Sequence, residues 1–211
     1  MREFRAPEVV IRRLAIYLRA LGQCEEECES YISSKELGER AGVTPAQVRK
    51  DLAMFGEFGK QGVGYEVCNL KEELRRILKV NRVINTALVG VGELGMALAR
   101  YNIRRAQRQD DYPFRLVAAF DVDPQKIGRK IERMVEIQPF ARLTEVLRDL
   151  NVAIVILTVP ASAAQEAVDR CVEGGVKGIL NFAPAKVSVP NGVKLQNADV
   201  TLDLQQLAYY L

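Results

Sequence analysis

The chain has 211 residues, of which 48% are hydrophobic and 27% charged, and its formal net charge is +3. This length suits one large or two small domains, and the apolar content supports buried cores and argues against global disorder. The charges are not segregated, so any nucleic-acid-binding surface must be a local basic patch. The chain has no histidine, which excludes Ser-His-Asp and Cys-His catalysis and every His-containing metal site.

The four cysteines, Cys24, Cys28, Cys68 and Cys171, match no usual zinc spacing. We interpret them as reduced structural or surface thiols, with redox or metal chemistry as the alternative. The N-terminus has no apolar signal core, and the longest apolar stretch, residues 152–160, is too short to cross a bilayer. These features predict a cytoplasmic protein without a metal site or a membrane partner.

The N-terminal residues are predicted to form one amphipathic helix of about four turns. Pro7 suits the first helical turn, and the apolar residues from Val10 to Leu21 recur at steps of three and four before Gly22. The charged segment 23–29 is interpreted as a loop or a frayed helix end.

Two helix-start signals follow, separated by a tight turn at Gly42. Ser33-x-x-Glu36 is a capping box, and Thr44-Pro45-Ala46-Gln47 is a second, with proline at the first helical position. The second helix is expected to bury Val48, Leu52 and Phe55 and to turn five side chains outward, namely Gln47, Arg49, Lys50, Ala53 and Met54. This arrangement is typical of a helix-turn-helix, in which Arg and Gln read base edges and Lys binds phosphate or guanine. The alternative is an ordinary helical hairpin with a solvated polar face.

A glycine-rich segment after these helices favours the DNA-binding interpretation. Residues 56–67 contain four glycines and the alternating Val63, Tyr65 and Val67, which predicts a β-hairpin with Lys60 and Gln61 at its tip. A hairpin directly after a recognition helix is a wing that can contact the phosphate backbone or the minor groove. A connecting helix over 70–78 and a domain boundary at 79–82 are expected to follow.

Beyond this boundary, continuously apolar strands alternate with helices. Strands are predicted at 86–89, 116–120, 153–157 and 178–181, and helices at 94–101, 143–150, 163–173 and 202–210. Continuously apolar strands indicate a sheet covered on both faces, so we assign a parallel, doubly wound α/β domain.

The turn Gly90-x-Gly92-x-x-Gly95 follows the first of these strands and precedes a helix, as in a dinucleotide-binding fold. Gly90 permits the tight turn, Gly92 lets a pyrophosphate approach the backbone, and Gly95 permits close helix packing. Asp121 ends the second strand. Its distance along the chain from Gly95 is longer than the usual interval of about 20 residues, and the polar insert 102–112 explains the excess. A carboxylate there would bind ribose hydroxyls and repel a 2′-phosphate, which favours NAD(H) over NADP(H). The alternative is an α/β domain whose glycines only serve a turn.

Two further loops lie at strand ends, where such folds bind ligands. They are Thr158-Val159-Pro160 and the segment that begins at Asn181 and Phe182. Each either contacts the ligand or simply ends its strand.

The sequence resembles the Rex family of redox-sensing transcriptional repressors over nearly its whole length. The resemblance rests on residues 48–52, 55–60, 62–65, the glycine turn, 120–123, 157–160 and 177–184. It implies a homodimer with an N-terminal winged helix, a C-terminal Rossmann domain and a C-terminal helix, 202–211, exchanged between subunits. Family members bind palindromic operator DNA and release it when NADH binds.

The resemblance also implies a switch built from Arg19, Tyr101 and Asp199. An Arg19–Asp199 pair would belong to the DNA-competent form, and a Tyr101–Asp199 contact to the NADH-bound form. The chain departs from the family where Ala53-Met54 replaces Ser-Tyr, which removes two hydroxyls that could contact DNA or the wing. It also departs in the region 130–139, whose third strand is left unassigned.

The expected domains are a winged helix over 1–80, a Rossmann domain over 81–198 and the exchanged helix over 199–211. The expected cofactor-binding residues are Gly90, Val91, Gly92, Glu93, Leu94, Gly95, Tyr101, Asp121, Val122, Thr158, Val159, Pro160, Asn181 and Phe182. The expected DNA-binding residues are Ser34, Thr44, Gln47, Arg49, Lys50, Lys60 and Gln61. The chain is thus predicted to be a non-enzymatic repressor that senses NAD(H). The alternatives are a small NAD-dependent dehydrogenase, a CoA-binding enzyme fragment, or a nucleotide-binding interaction protein that never touches DNA.

Overall fold

The computed structural model describes residues 6–60 and 62–211. The chain divides into two compact units, residues 1–82 and 83–211. The division directly follows the segment 79–82 that the sequence marks as a boundary. The segment 199–211 clusters with the second unit.

The first unit combines helices with a small antiparallel sheet of order β1-β3-β2. Its elements are α1 (Glu8–Glu26), β1 (Tyr31–Ile32), α2 (Ser34–Ala41), α3 (Pro45–Ala53), β2 (Gly59–Lys60), β3 (Gly64–Glu66) and α4 (Val67–Ile77). This order of helices and strands is that of a winged helix, with α3 in the recognition position and β2–β3 as the wing.

Local signals place the helix-turn-helix. Ser33 caps α2 in a reciprocal capping box with Glu36. Gly42 ends α2 in the left-handed region, at φ +68°, where glycine is favoured. Thr44 caps α3 by accepting the Gln47 amide, with Pro45 in the first turn. The apolar faces of these helices meet α1 and α4 in one core that includes Leu14, Leu37, Val48, Leu52 and Leu74.

The structure differs from the expectation in the first unit at several points. Residues 23–26 are helical rather than loop, because Cys24 is fully buried on the apolar face of α1; the helix ends where Cys28 takes a left-handed φ of 60°. Strand β1 was not predicted, and α4 begins at Val67, which was assigned to the hairpin. Phe55 lies beyond the end of α3, half-buried, and Met54 packs against the core rather than facing outward.

The second unit is a seven-stranded sheet of order β10-β9-β8-β4-β5-β7-β6. Its elements are β4 (Ile84–Val89), α5 (Glu93–Arg108), β5 (Phe114–Asp121), β6 (Lys130–Ile131), β7 (Val135–Pro139), α6 (Leu143–Asp149), β8 (Ile154–Leu157), α7 (Ala164–Glu173), β9 (Gly178–Asn181), β10 (Lys194–Asn197) and α8 (Val200–Ala208). Only β6 is antiparallel to its neighbour. The parallel strands reproduce the order 3-2-1-4-5-6 of the Rossmann fold.

Both faces of this sheet are covered. Ala87 and Val89 face the core formed with α6 and α7, whereas Leu88 faces the core formed with α5 and β7. This alternation of faces explains why the strands read as continuously apolar. After β4, the next strands are added on one side of it (β5, β7), and the later strands on its other side (β8, β9, β10). The point between β4 and β8 where this order reverses leaves a crevice at the carboxyl ends of the strands.

Several elements of the second unit were not predicted or were placed differently. Helix α5 continues to Arg108, so most of the expected polar insert 102–112 is helical. The reason is Asn102, a buried side chain whose Oδ1 accepts the Leu116 amide at 3.2 Å and whose Nδ2 donates to the Tyr112 hydroxyl at 3.2 Å. The region 130–139 forms β6 and β7, and β10 extends the other edge. Helix α8 starts at Val200, two residues before the predicted start, because Asp199 caps it by accepting the Thr201 amide.

Candidate functional site

A cavity of about 750 Å³ lies at the carboxyl ends of β4, β5 and β8 in the second unit. Its walls are the glycine turn, the end of β5, the loop after β8 and the start of α7. This is the crevice in which open α/β sheets bind nucleotides. Its volume is within the range of small-ligand sites.

The glycine turn is shaped as the sequence predicts. Gly90 has φ +92°, and a Cβ atom there would lie 2.6 Å from the carbonyl oxygen of Thr158. A Cβ on Gly95 would lie 2.1 Å from the Gly90 carbonyl oxygen, so α5 approaches the turn closely. A Cβ on Gly92 would meet no atom within 4 Å. The free space is therefore at Gly92, beside the N-terminus of α5, where backbone amides can donate to a phosphate.

Asp121 connects the end of β5 to the glycine turn. Its carboxylate is 8% exposed and accepts the Val91 amide at 2.7 Å, the Asp123 amide at 2.9 Å and Lys126 Nζ at 3.1 Å. Burial alone would raise the pKa of Asp121, but these hydrogen bonds outweigh it and hold the pKa below its ordinary value. Asp121 is thus an ionised acceptor that lines the cavity.

The two later loops have different roles. Thr158 Oγ1 donates to the carbonyl of Gly90 at 2.6 Å, so the loop after β8 is tied to the glycine turn. Asn181 is buried, and its side chain bonds the Ala183 amide at 2.9 Å and Asn197 Oδ1 at 3.0 Å. Asn181 therefore braces the loop after β9 and lies outside the cavity lining, whereas Phe182 lines it.

Most of the expected cofactor residues line this cavity. They are Gly90, Gly92, Leu94, Asp121, Val122, Thr158, Val159, Pro160 and Phe182. Val91, Glu93, Gly95, Tyr101 and Asn181 are outside the lining. Eight further lining residues were not predicted to bind the cofactor: Val89, Phe120, Asp123, Lys126, Phe140, Ala163, Glu166 and Ala167. Lys126 lies five residues after Asp121 and just beyond the segment 120–123, so no predicted motif included it.

Within the second unit, Tyr101 and Asp199 each have a hydrogen-bond partner other than the one expected of the switch. Tyr101 is 57% exposed, and its hydroxyl accepts Arg105 Nη1 at 2.6 Å. Asp199 caps α8, and Arg19 lies on the exposed face of α1. The exchange among them stays a prediction.

The expected DNA-binding residues lie on α2, α3 and the β2–β3 hairpin of the first unit. A cleft of about 570 Å³ between these elements is lined by Ser34, Arg49 and Lys60, with Ala53 among the other lining residues. Arg49 Nη1 donates to Ser34 Oγ at 2.8 Å, so these two side chains are held together. Lys50 is exposed on the same helix. Gln61 lies outside the described residues.

Two of the expected DNA contacts are used within the protein. Thr44 Oγ1 accepts the Gln47 amide as the α3 cap. Gln47 Nε2 donates to Asp51 Oδ1 at 2.7 Å. The second capping box is therefore only half formed, because the Gln47 side chain turns to Asp51 rather than back to the backbone of Thr44.

Comparison with known proteins assigns both units. Residues 5–53 match the family model described as putative DNA-binding protein N-terminus, and residues 81–185 match the model described as CoA binding domain. The redox-sensing transcriptional repressor Rex of Brevibacillus brevis is 46% identical over 204 residues, which cover 97% of this chain and 96% of the relative. That of Syntrophobacter fumaroxidans is 42% identical and covers 100% of this chain and 98% of the relative. The chain belongs to the Rex family.

Solved structures of the Rex family agree with this assignment. RSP in complex with β-NAD⁺ and operator DNA superposes with a TM-score of 0.89 at 36% identity, covering 99% of this chain and 93% of that one. RSP in complex with β-NADH superposes with a TM-score of 0.85 at 35% identity, covering 99% and 95%. The predicted fold class is confirmed. Because the Rex relatives are named repressors and span almost the whole chain, they favour a repressor over a dehydrogenase or a CoA-binding enzyme fragment.

The cysteines of this Rex-family chain are free thiols in the structure. Burial raises the pKa of Cys24 to about 11 and that of Cys171 to about 12, so both are protonated, whereas Cys28 and Cys68 are exposed. Over residues 6–60 and 62–211, no cluster of three or more acidic or cysteine side chains could hold a metal ion. No helix in the same ranges is long and apolar enough to cross a membrane.

Proposed function

We propose that this chain is a transcriptional repressor that binds palindromic operator DNA and is released when NADH binds. It would then report the ratio of NADH to NAD⁺ in the cytoplasm. The related RSP has been crystallised with β-NAD⁺ and operator DNA and with β-NADH, which supports the proposal. The observation that carries it is the presence, in one chain, of a winged helix with exposed cations and a cavity with an ionised acceptor beside a glycine turn.

In the cavity, the pyrophosphate of NAD(H) would lie in the open space at Gly92, at the N-terminus of α5. The Asp121 carboxylate would accept the ribose hydroxyls, because the Val91 amide and Lys126 hold it in place and ionised. A 2′-phosphate would meet this negative charge, so NADH is preferred to NADPH. The remaining cofactor contacts would come from the other expected residues that line the cavity.

In the winged helix, Arg49 and Lys50 of α3 would enter the major groove, and Lys60 of the β2–β3 hairpin would contact the backbone. Ser34, at the start of α2, would contact DNA beside Arg49, to which it is already hydrogen-bonded. Thr44 would contribute mainly as the cap of α3, since its hydroxyl is occupied by the Gln47 amide.

The functional unit would be a homodimer. The exposed apolar side chains Leu202, Leu204 and Leu207 of α8 are 62%, 60% and 61% exposed in the single chain, which favours burial against a second copy. In this proposal the functional divisions are 1–80, 81–198 and an exchanged helix over 199–211. Within the dimer, Asp199 would pair with Arg19 in the DNA-bound form and with Tyr101 in the NADH-bound form.

The proposal is tested with a palindromic duplex that the full-length chain selects from a random library in the presence of NAD⁺. Binding is followed by fluorescence anisotropy while NADH or NAD⁺ is added. We expect NADH to release the duplex and NAD⁺ to leave most of it bound. Undiminished binding in saturating NADH would refute the sensor, and failure to select any duplex would refute the repressor.

One variant separates the DNA-binding role of the first unit from the NADH-binding role of the second. Lys50→Ala should weaken duplex binding and leave NADH binding unchanged, because Lys50 lies on the winged helix. If Lys50→Ala leaves duplex affinity unchanged, the recognition assignment of α3 is wrong. That result would favour a nucleotide-binding interaction protein that does not touch DNA.

A further inference from the structure

A buried carboxylate lies in the last turn of α3, the helix assigned to DNA recognition. Asp51 is 1% exposed, next to the core residues Val48 and Leu52. An ionised side chain in such a place is costly unless it is paired and fully hydrogen-bonded. Its partners therefore show what it is for.

Asp51 has four hydrogen bonds from three side chains. Arg13 binds both carboxylate oxygens, Nε to Oδ2 at 2.5 Å and Nη2 to Oδ1 at 2.8 Å. The Tyr17 hydroxyl donates to Oδ2 at 2.8 Å, and Gln47 Nε2 donates to Oδ1 at 2.7 Å. The fork of Arg13 fixes direction as well as distance, because a bidentate guanidinium–carboxylate pair is planar.

The charge states suit a permanent connection. Burial would raise the pKa of Asp51, but the hydrogen bonds from Arg13, Tyr17 and Gln47 outweigh it and lower the pKa. Burial and the bond to Asp51 raise the pKa of Tyr17, so its hydroxyl stays a donor. At neutral pH the network is therefore an ionised acceptor surrounded by donors.

The network connects α3 to a different helix. Arg13 and Tyr17 are one turn apart on the same face of α1, and Asp51 lies 38 and 34 residues further along the chain. Helix α3 has only nine residues, and its apolar contacts to the core come from Val48 and Leu52. Such contacts hold a short helix down but leave its rotation about its own axis less well defined than a directional hydrogen-bonded fork does.

The rotation of α3 determines where its outward side chains point. Arg49 and Lys50 directly precede Asp51, so any rotation of the helix moves them relative to a groove. Gln47 is held by the same carboxylate, and its amide is thus committed to Asp51 rather than free to pair with a base. Discrimination between base sequences requires side chains held in place to within about half an ångström.

We propose that Asp51, held by Arg13 and Tyr17, is a positioning residue that sets the rotation of α3 and thereby the preference of the chain for its operator over other DNA. Gln47 belongs to this positioning set and does not read a base. This inference rests on the proposed function, since it presumes that α3 enters the DNA groove. The competing explanation is that the network only stabilises the first unit.

The test compares the full-length wild-type chain with Asp51→Asn. Asparagine keeps the shape of the side chain but presents an amide where Arg13 needs an acceptor. Affinities are measured for the selected operator and for a scrambled duplex of equal length, well below the melting temperature of each variant. We expect the operator affinity to fall about tenfold and the scrambled-duplex affinity to change less than about twofold, because only base reading depends on helix rotation.

Two further variants keep the test decisive. Tyr17→Phe removes one hydrogen bond and otherwise keeps the shape of the side chain. It replaces Asp51→Asn in the test if that variant does not fold, and it should lower the operator preference by about threefold. Val10→Ala removes buried apolar atoms from α1, one turn before Arg13, but none of the hydrogen bonds to Asp51, so it is a control for lost stability. It should leave the ratio of the two affinities unchanged.

Gln47→Ala addresses the amide directly. When this variant selects duplexes from a random library, we expect the same preferred sequence as for the wild type, with a lower enrichment. A lost preference at one base position of the operator would show that Gln47 reads that base and would overturn its assignment.

The inference is overturned if Asp51→Asn keeps the operator-to-scrambled ratio within about twofold of the wild type at a lowered melting temperature. It is equally overturned if Val10→Ala reduces the ratio as much as Asp51→Asn does. A wild-type chain without any duplex preference would instead overturn the proposed function, so the two failures are distinguishable.

Discussion

Two alanine substitutions in the glycine turn are expected to affect different properties: Gly95→Ala should lower stability, and Gly92→Ala should lower NADH affinity. A Cβ atom on Gly95 would lie 2.1 Å from the Gly90 carbonyl oxygen and 2.7 Å from Thr158 Oγ1. Both distances are far below a van der Waals contact, and the nearer atom is backbone, so α5 must move away from the turn. Overpacking of this kind costs about 1–3 kcal/mol. For a domain of this size each kcal/mol lowers the melting temperature by roughly 3–6 °C.

Gly92→Ala is the matched substitution. Its Cβ would meet no atom within 4 Å, and Gly92 has φ −78° and ψ −170°, a conformation that alanine adopts without strain. The folded chain should therefore keep its wild-type melting temperature. The added methyl group would, however, occupy the space into which the pyrophosphate is proposed to fit. We expect NADH to bind at least about tenfold more weakly, which corresponds to about 1.4 kcal/mol.

Thermal unfolding by circular dichroism and NADH titration by calorimetry measure the two effects separately. Gly95→Ala should lower the melting temperature by several degrees, and Gly92→Ala should lower NADH affinity at constant melting temperature. If Gly92→Ala binds NADH as tightly as the wild type, the phosphate does not lie at the glycine turn. If Gly95→Ala has the same melting temperature as the wild type, α5 does not approach the turn as closely as described.

Three further predictions concern single side chains. Asp121→Arg should weaken NADH binding and improve NADPH binding, because it replaces a ribose acceptor by a cation; an unchanged preference in calorimetry would contradict the assignment. Leu204→Asp should convert a dimer to a monomer in sedimentation, whereas Gln205→Glu on the same helix should not; identical behaviour would show that α8 is not in the interface. The folded-state pKa of Asp121 is lowered, so its stabilising contribution is complete above the ordinary aspartate pKa of about 4 and is lost as the pH falls. As the pH is lowered from about 5 to 2, Asp121→Asn should accordingly lose less free energy of unfolding than the wild type does. An equal loss in the two proteins would contradict this.

The parts of the fold that sequence predicts are those with local signals. The capping box at Ser33 and Glu36, the left-handed Gly42 and the glycine turn at Gly90 each act through neighbouring residues, and each is present in the structure. The four central parallel strands were also predicted, because burial on both faces leaves a continuous apolar run.

The parts that sequence did not predict depend on distant partners. Strands β1, β6 and β10 are two to four residues long and exist only because a neighbouring strand pairs with them. Lys126, Phe140 and Glu166 join the cavity from three separate segments, so no single motif contains them. The Arg13–Asp51 pair is similarly non-local. One signal was available, however, since Asp51 falls three residues after Val48 on the face that α3 buries.

The central claim is that NADH and operator DNA oppose each other through the same dimer, and thermodynamic linkage makes this directly measurable. A ligand that weakens operator binding by a given factor must itself bind the operator complex more weakly by the same factor. NADH is therefore titrated calorimetrically into the free chain and into the chain saturated with its selected duplex. The account predicts a weaker NADH affinity in the complex, by the factor by which NADH weakens duplex binding; equal NADH affinities in the two titrations would contradict it.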